Sequence, residues 1–274
     1  MQDKLGISER RACLALGQAR STQRYRSQRY EQDRPLVKRM HKLSAENPRM
    51  GYRMITKLLG REGWHVNPKR IHRLWKQAGL QVPQKQHKKR RLGTSENGCL
   101  RLKATHPGHV WSIDFLFDTT EDGRQMKFMP VMDEYTRECF MIDVSRGITS
   151  RRVIEVLDGL FALHGAPANL RSDNGPEFVA KALREYLTAA NVETRYIEPG
   201  APWQNGYIES FNNTFRDELL NREIFTTVLE ARVLSEQFRR RYNEYRPHSS
   251  LNYETPAAYA AGVKKTLKPV PPLT

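Results

Sequence analysis

The chain has 274 residues, with 46 Lys and Arg against 30 Asp and Glu, a formal net charge of +16. That length suits two modest domains rather than one. Its three cysteines show no CxxC spacing, which argues against a disulfide framework or a zinc knuckle, so no structural zinc is expected. No apolar run approaches the roughly 18 residues of a membrane span. Asp3, Lys4, Glu9, Arg10 and Arg11 break up any signal-like start, so a soluble protein of the reducing cytoplasm is expected. The charge is uneven. Residues 1–105 carry 26 Lys and Arg against 7 Asp and Glu, whereas residues 106–274 carry 20 against 23. Affinity for a polyanion therefore belongs to the N-terminal part, although a short basic run by itself can be a solvated face.

Residues 1–29 form a basic arm in which Ala12-Cys13 and Leu14-Ala-Leu16 fit one short helix. Leu36, Val37, Met40 and Leu43 share a helical face, and Asn47-Pro48 ends that helix. Ile55, Leu58 and Leu59 mark a second helix, ending near Gly60 or Gly63. Asn67-Pro68 starts a third, with an N-cap residue and a proline in the first turn. Ile71, Leu74, Trp75 and Ala78 follow at helical spacing, and Gly79 closes it. Lys69, Arg70, Arg73 and Lys76 lie off that stripe. Three short helices with a basic last one fit a small all-α helix-turn-helix domain over 30–84, whose third helix would enter a DNA major groove. An ordinary helical domain with a charged face would share this pattern. Arg53, Lys69, Arg70, Arg73 and Lys76 are the candidate DNA contacts here. Lys88, Lys89, Arg90 and Arg91, then Gly93-Thr-Ser-Glu-Asn-Gly98, make 85–105 a basic linker. It would track a phosphate backbone or serve as a solvated tether.

Past Pro107 the periodicity changes. Val110–Phe117, Phe128–Met132 and Cys139–Val144 read as consecutive strands, which suggests an antiparallel meander. Val153, Leu157, Leu160 and Phe161 mark a helix ending at His164-Gly165. Asn169–Ser172 is a short strand, Phe178, Ala182, Tyr186 and Leu187 mark a helix, and Val192–Ile197 alternates as a strand. Two helical stretches follow, at about 205–220 and 227–245. This order implies an α/β fold with a mixed sheet flanked by helices.

Three acids stand out within these elements. Asp114 interrupts an apolar strand, where an unpaired carboxylate is costly; it binds a partner or belongs to a polar face with Ser112. Asp173 precedes the turn pair Asn174-Gly175, and a carboxylate at a strand end suits a site at the sheet's carboxyl edge. It reads equally as a turn residue. Glu209 borders the stripe Ile208, Phe211, Phe215 and Leu219, and Arg216 lies two helical turns on, on the same face. Arg216 would hold a phosphate or form a weak surface ion pair. Carboxylates are the preferred ligands of hard divalent cations. Three that converge can hold two such ions about 3.5–4 Å apart for in-line displacement at phosphorus. Asp118, Asp133 and Asp143 compete with Asp114 for the first position.

The segments Trp111-Ser-Ile-Asp-Phe115, Ser172-Asp-Asn-Gly-Pro-Glu-Phe178 and Pro202-Trp-Gln-Asn-Gly-Tyr-Ile-Glu-Ser-Phe211 resemble the Asp-Asp-Glu transposases of bacterial insertion sequences related to retroviral integrases. The downstream-frame (OrfB) type is the nearer likeness. The 35 residues between Asp173 and Glu209, the basic residue seven past the glutamate, and Tyr242-Asn-Glu-Tyr-Arg-Pro-His248 with Leu251 and Pro256 extend it. The resemblance implies a ribonuclease H-like integrase core over 106–263, with a mixed five-stranded sheet, followed by a tail over 264–274. It implies that Asp114, Asp173 and Glu209 are catalytic and bind two Mg²⁺ ions, for which Mn²⁺ would substitute. Water or a DNA 3′-hydroxyl would be the nucleophile, without a covalent protein–DNA intermediate. Asn174, Asn205 and Arg216 would touch DNA or, for the two asparagines, shape loops, and His248 would contact a phosphate or pack within a loop. The implied partners are double-stranded DNA, further copies of the chain and the upstream-frame (OrfA) protein, and the implied setting is the bacterial nucleoid. Two rival readings are a non-catalytic DNA-binding regulator, against which the intact triad argues, and an RNA-cleaving enzyme on the same fold.

Overall fold

The computed structural model describes residues 6–25, 29–82, 102–197 and 205–266. Lys88, Lys89, Arg90 and Arg91 lie outside the described residues. The chain divides into two compact units, one drawn from Met1–Leu59 and Gly63–Val82, the other from Gly60–Glu62 and Pro83–Thr274.

In the first unit the helices are α1 (Glu9–Ala15), α2 (Arg20–Arg24), α3 (Arg29–Glu46), α4 (Tyr52–Arg61) and α5 (Pro68–Gln77). The punctuation read in the sequence has a backbone cause. The Asn67 side chain accepts from Lys69 N at 2.8 Å and caps α5. Gly79 takes φ +67° just beyond the helix end, a conformation glycine adopts without penalty. Leu36, Met40, Leu43, Ile55, Leu58, Leu59, Ile71, Leu74 and Trp75 form the buried core. One expectation is corrected: in the arm, α1 buries Ala12 and Cys13, while Leu14 and Leu16 are 84 % and 59 % exposed. Helix α3 carries Pro35 inside it.

The second unit is a mixed sheet between two helix layers. Its strands are β1 (Val110–Ile113), β2 (Leu116–Thr119), β3 (Gln125–Asp133), β4 (Cys139–Ser145), β5 (Asn169–Ser172) and β6 (Glu193–Tyr196). The helices are α6 (Ser150–His164), α7 (Lys181–Ala189), α8 (Gly206–Phe215), α9 (Val228–Glu244) and α10 (Pro256–Thr266). A π-helical turn, Arg216–Leu220, continues α8. Strand β3 pairs β1 and β2 on one side and β4 on the other; β1 continues through parallel β5 to parallel β6.

The single strand expected over Val110–Phe117 is two segments in one register. Trp111 pairs Asp133, Ile113 pairs Val131, and Leu116 pairs Phe128. Continued across the gap, that register sets Asp114 opposite Pro130, which has no N–H for the ladder. The sheet thus has five strand positions in six segments. In α7 the buried stripe is Leu183 and Leu187 rather than Ala182, which is exposed.

Side-chain alternation separates two cores. Trp111, Ile113, Met129, Val131 and Leu170 pack with Val153, Leu157, Leu160, Leu183 and Leu187 of α6 and α7. Met126, Phe128 and Met132 pack with Phe211, Phe215, Phe238 and Tyr242 of α8 and α9. Residues 112 and 114 of the β1 line, and 171 and 173 of the β5 line, therefore fall on the α8 side of the sheet.

Candidate active site

Asp114 and Asp173 each follow the last residue of a strand, and those strands are parallel neighbours. Ser112 pairs Arg171 in the ladder, and each aspartate lies two positions further on. Adjacent strands are about 4.8 Å apart, so the two carboxylates leave the same edge side by side. The pairing two residues upstream is fixed by one buried acid. Ser112 Oγ donates to Glu134 Oε1, Arg171 Nη1 donates to both Glu134 oxygens at 2.7 and 2.8 Å, and Arg171 Nη2 donates to the Leu102 carbonyl at 2.7 Å. The Arg171 and Glu134 side chains are 5 % and 0 % exposed.

Glu209 stands in the first turn of α8, close enough for its charge to bear on Asp114. One turn along, Asn212 Nδ2 donates to Asp114 Oδ2 at 2.8 Å. The other oxygen, Oδ1, accepts from Phe115 N at 2.8 Å. Burial pushes the Asp114 carboxyl up to about 6, and the charges of Asp173 and Glu209 add to the rise; the Phe115 N–H and the Asn212 amide oppose it. The three acids thus share one electrostatic field. They do not form a closed ligand set as placed: among the described residues no three His, Cys, Asp or Glu side chains are grouped to hold a metal ion.

The turn after β5 is tight. Asp173 Oδ1 accepts from Gly175 N at 3.0 Å, and a Cβ on Gly175 would stand 3.0 Å from that same oxygen. Phe178 stacks on Phe115 with ring centroids 4.5 Å apart. Lys127 Nζ lies 3.7 Å from the Phe115 ring centroid and pairs with Glu177. The turn bearing Asp173 is thereby fastened to the residue that follows Asp114.

The competing acids are used elsewhere. Asp133 accepts from the backbone N–H of Gly108, Tyr135 and Thr136. Asp143 pairs with Arg152 at 2.8 Å. Asp118 accepts from the N–H of Thr119 within β2. Of the other expected contacts, Asn174 is exposed and donates to the Ile197 carbonyl at 2.7 Å. Arg216 opens the π-helical turn, with Nη2 3.5 Å from the Phe117 carbonyl. Asn205 is 2 % exposed, and its Oδ1 has no hydrogen-bond partner; its amide faces inward at the start of α8. His248 is packed edge-on against Tyr242, and burial holds its imidazole down at about 3. Lys69, Arg70, Arg73, Lys76 and Arg53 are exposed in the first unit. Sequence reasoning missed Asn212, Glu134 and Lys127. Only Asn212 carried a signal, its i+3 spacing from Glu209.

The Integrase core domain models match residues 104–202 and 190–256, and the HTH-like domain model matches 31–89. The chain is 42 % identical over 266 residues to the insertion element IS407 uncharacterized 31.7 kDa protein of Burkholderia multivorans, covering 97 % of this chain and 95 % of that one. It is 39 % identical over 264 residues to the insertion element IS476 uncharacterized 39.2 kDa protein of Xanthomonas euvesicatoria, covering 96 % and 75 %. To the transposase InsD of insertion element IS2 of Escherichia coli it is 26 % identical over 249 residues, covering 85 % and 81 %. Among solved structures, the HTLV-2 integrase catalytic core domain in complex with magnesium aligns at a TM-score of 0.45 and 17 % identity, over 57 % of this chain and 98 % of that one. The chain belongs to the insertion-element transposase family whose members carry an integrase core, here with an HTH-like domain ahead of it.

Proposed function

We propose that this transposase cuts DNA at the ends of its insertion element and joins those ends to a target, with Asp114, Asp173 and Glu209 as the catalytic residues. The observation that carries the reading is the placement of two aspartates at the ends of adjacent parallel strands, under a helix with a glutamate in its first turn. The donor set suits a hard divalent cation, since all three ligands are carboxylates. Burial, with the charges of Asp173 and Glu209 adding to it, makes the ionised Asp114 costly, and a bound cation would offset that cost. Asp114, Asp173 and Glu209 would hold two Mg²⁺ ions, with Mn²⁺ able to substitute. When bound, these supply a lowered pKa for the attacking hydroxyl and charge stabilisation for the leaving oxygen.

The chain's own residues position and shield. Asn212 and the Phe115 N–H orient the Asp114 carboxylate, and the Gly175 N–H orients Asp173. The nucleophile is water for cutting and a DNA 3′-hydroxyl for joining. As its oxygen bonds to phosphorus it gives up its proton to solvent, while the bond to the leaving sugar oxygen breaks and that oxygen takes a proton from solvent. No protein–DNA bond forms. Arg216 and Asn174, exposed beside the edge, would meet phosphates. The helices of 30–84 would grip duplex DNA through Arg53, Lys69, Arg70, Arg73 and Lys76, aided by the basic linker at 85–105. Pairing two element ends calls for at least two copies, and the upstream-frame (OrfA) protein is a further partner. The setting is bacterial DNA; among the described residues no helix is long and apolar enough to cross a membrane.

The test is strand transfer on labelled element-end DNA with Mg²⁺, Mn²⁺ or EDTA. Asp114→Asn, Asp173→Asn and Glu209→Gln are each expected to lose at least about a thousandfold in joining, the upper scale for removing a group that stabilises a transition state, while binding the DNA as wild type does. Normal joining by any one variant removes that residue from the site.

A further inference from the structure

Helix α5 carries two exposed arginines that share one buried acid. Asp33, on α3, is 7 % exposed at its side chain, whereas Arg70 and Arg73 are 43 % and 47 % exposed. Arg70 donates to Asp33 Oδ1 through Nε at 2.8 Å and through Nη2. Arg73 Nη2 reaches Asp33 Oδ2 at 3.3 Å. Gln32, Asp33, Asn67, Lys69, Arg70 and Arg73 line one open cleft of about 450 Å³.

The way the Arg70 donors are divided is informative. A guanidinium has a side edge, Nε with one Nη, and an end edge, the two Nη groups. Asp33 takes the side edge of Arg70. The end edge points away from the acid, on a side chain still 43 % exposed. An end-on fork of this kind matches guanine O6 and N7 in the major groove, the commonest specific arginine contact. A buried carboxylate that fixes the plane of the fork removes part of the rotamer entropy lost on binding. It also lowers the net positive charge of the patch, which works against indiscriminate phosphate binding.

We infer that Asp33 is a positioning residue for DNA sequence recognition: it holds Arg70, with Arg73 beside it, so that the open edge of the guanidinium reads a guanine in the element's end. This rests on the proposal that the α5 face meets duplex DNA. The acid does not touch the base; it acts through the arginines.

The experiment compares dissociation constants of the full chain for two duplexes of equal length. One carries the element's terminal base pairs, the other the same composition scrambled. Asp33→Asn is expected to weaken the end duplex about tenfold, the lower range for one bidentate contact. Binding to the scrambled duplex should stay within about twofold of wild type or tighten. With Arg70→Ala and Arg73→Ala already in place, adding Asp33→Asn should change neither duplex further. Equal losses on both duplexes, or a loss that persists without the arginines, overturns the inference. So does full end recognition by folded Asp33→Asn when the two arginine replacements weaken binding; the DNA-facing reading of α5 then survives. If removing both arginines alters binding to neither duplex, that reading falls and the inference with it. Should Asp33→Asn fail to melt as a folded protein, Arg70→Lys decides. It keeps the charge and loses the planar fork, and should lose affinity for the end duplex alone.

Discussion

The two units each hold an arginine–carboxylate cluster joining distant parts of the chain, and the clusters are built to opposite ends. In the core, Arg171 and Glu134 are almost wholly out of water, and their contacts run to Ser112 and the Leu102 carbonyl as well as to each other. In the N-terminal unit the acid is buried but both arginines remain about half exposed. The first cluster is consumed by architecture. The second keeps donors facing outward. Burial of the arginine, rather than the presence of an ion pair, separates a residue that holds a site together from one that can meet a ligand.

The largest expected effect breaks this contrast at its buried end. Glu134→Ala leaves the Arg171 guanidinium uncompensated inside the sheet, which costs about 3–5 kcal/mol for a buried pair. Urea unfolding followed by tryptophan fluorescence should show it, since Trp111 lies in the neighbouring strand position. Asp33→Ala should cost no more than about 1 kcal/mol, because its arginines fall back to water. Equal losses from the two would erase the distinction.

The next effect concerns acid. Burial lowers His248 from its ordinary 6.5 to about 3. The unfolded chain therefore binds a proton that the folded chain refuses between those values, and stability falls as pH drops through that window. The slope is about 1.4 kcal/mol per pH unit, order of magnitude, from this one group. His248→Gln should flatten the pH dependence of urea midpoints between pH 6 and 4. An unchanged slope would place the acid sensitivity elsewhere.

How far the sequence could lead follows from the same contrast between local and distant causes. Asn67-Pro68 and Gly79 set helix ends through their own backbones, so α5 was legible. Alternation along Val110–Phe117 placed Asp114 on a defined face, and its register survived even though Pro130, 16 residues away, splits the strand. The proposed triad rests in the sequence on family resemblance alone, since each acid by itself reads as an ordinary turn or surface residue. Partners 37 residues apart were not legible: Glu134 with Arg171 and Asp33 with Arg70 leave no periodic trace. Nor was the inward turn of Asn205, since an asparagine buried at a helix start and one that faces DNA look alike in sequence.

Between the two units in character lies Asn212, a polar side chain that touches a proposed catalytic acid without being one. It is the link seen between α8 and the Asp114 carboxylate. Asn212→Ala removes a donor from a carboxylate already raised to about 6, so Asp114 should be harder to keep ionised. Strand transfer is expected to fall about tenfold, with end-DNA binding unchanged and the loss partly recovered by Asn212→Gln. A loss of DNA binding instead would make Asn212 a nucleic-acid contact.

The smallest effect tests the exposed end of the contrast. Asn67→Ala removes the cap that accepts from Lys69 N, for about 1 kcal/mol of helix stability. Fraying would begin at the turn that carries Lys69 and Arg70, while Ile71, Leu74 and Trp75 stay anchored in the core. Binding to element-end DNA should weaken severalfold with only a small shift in melting. Asn67→Asp, which keeps an acceptor at the cap, should restore the melting temperature. It also sets a negative charge beside Lys69 and the cleft, so its binding should stay below wild type at low salt and approach it as salt rises, because screening acts on that added charge and not on the cap. Recovery of both quantities at every salt concentration would mean that the cleft does not meet phosphate.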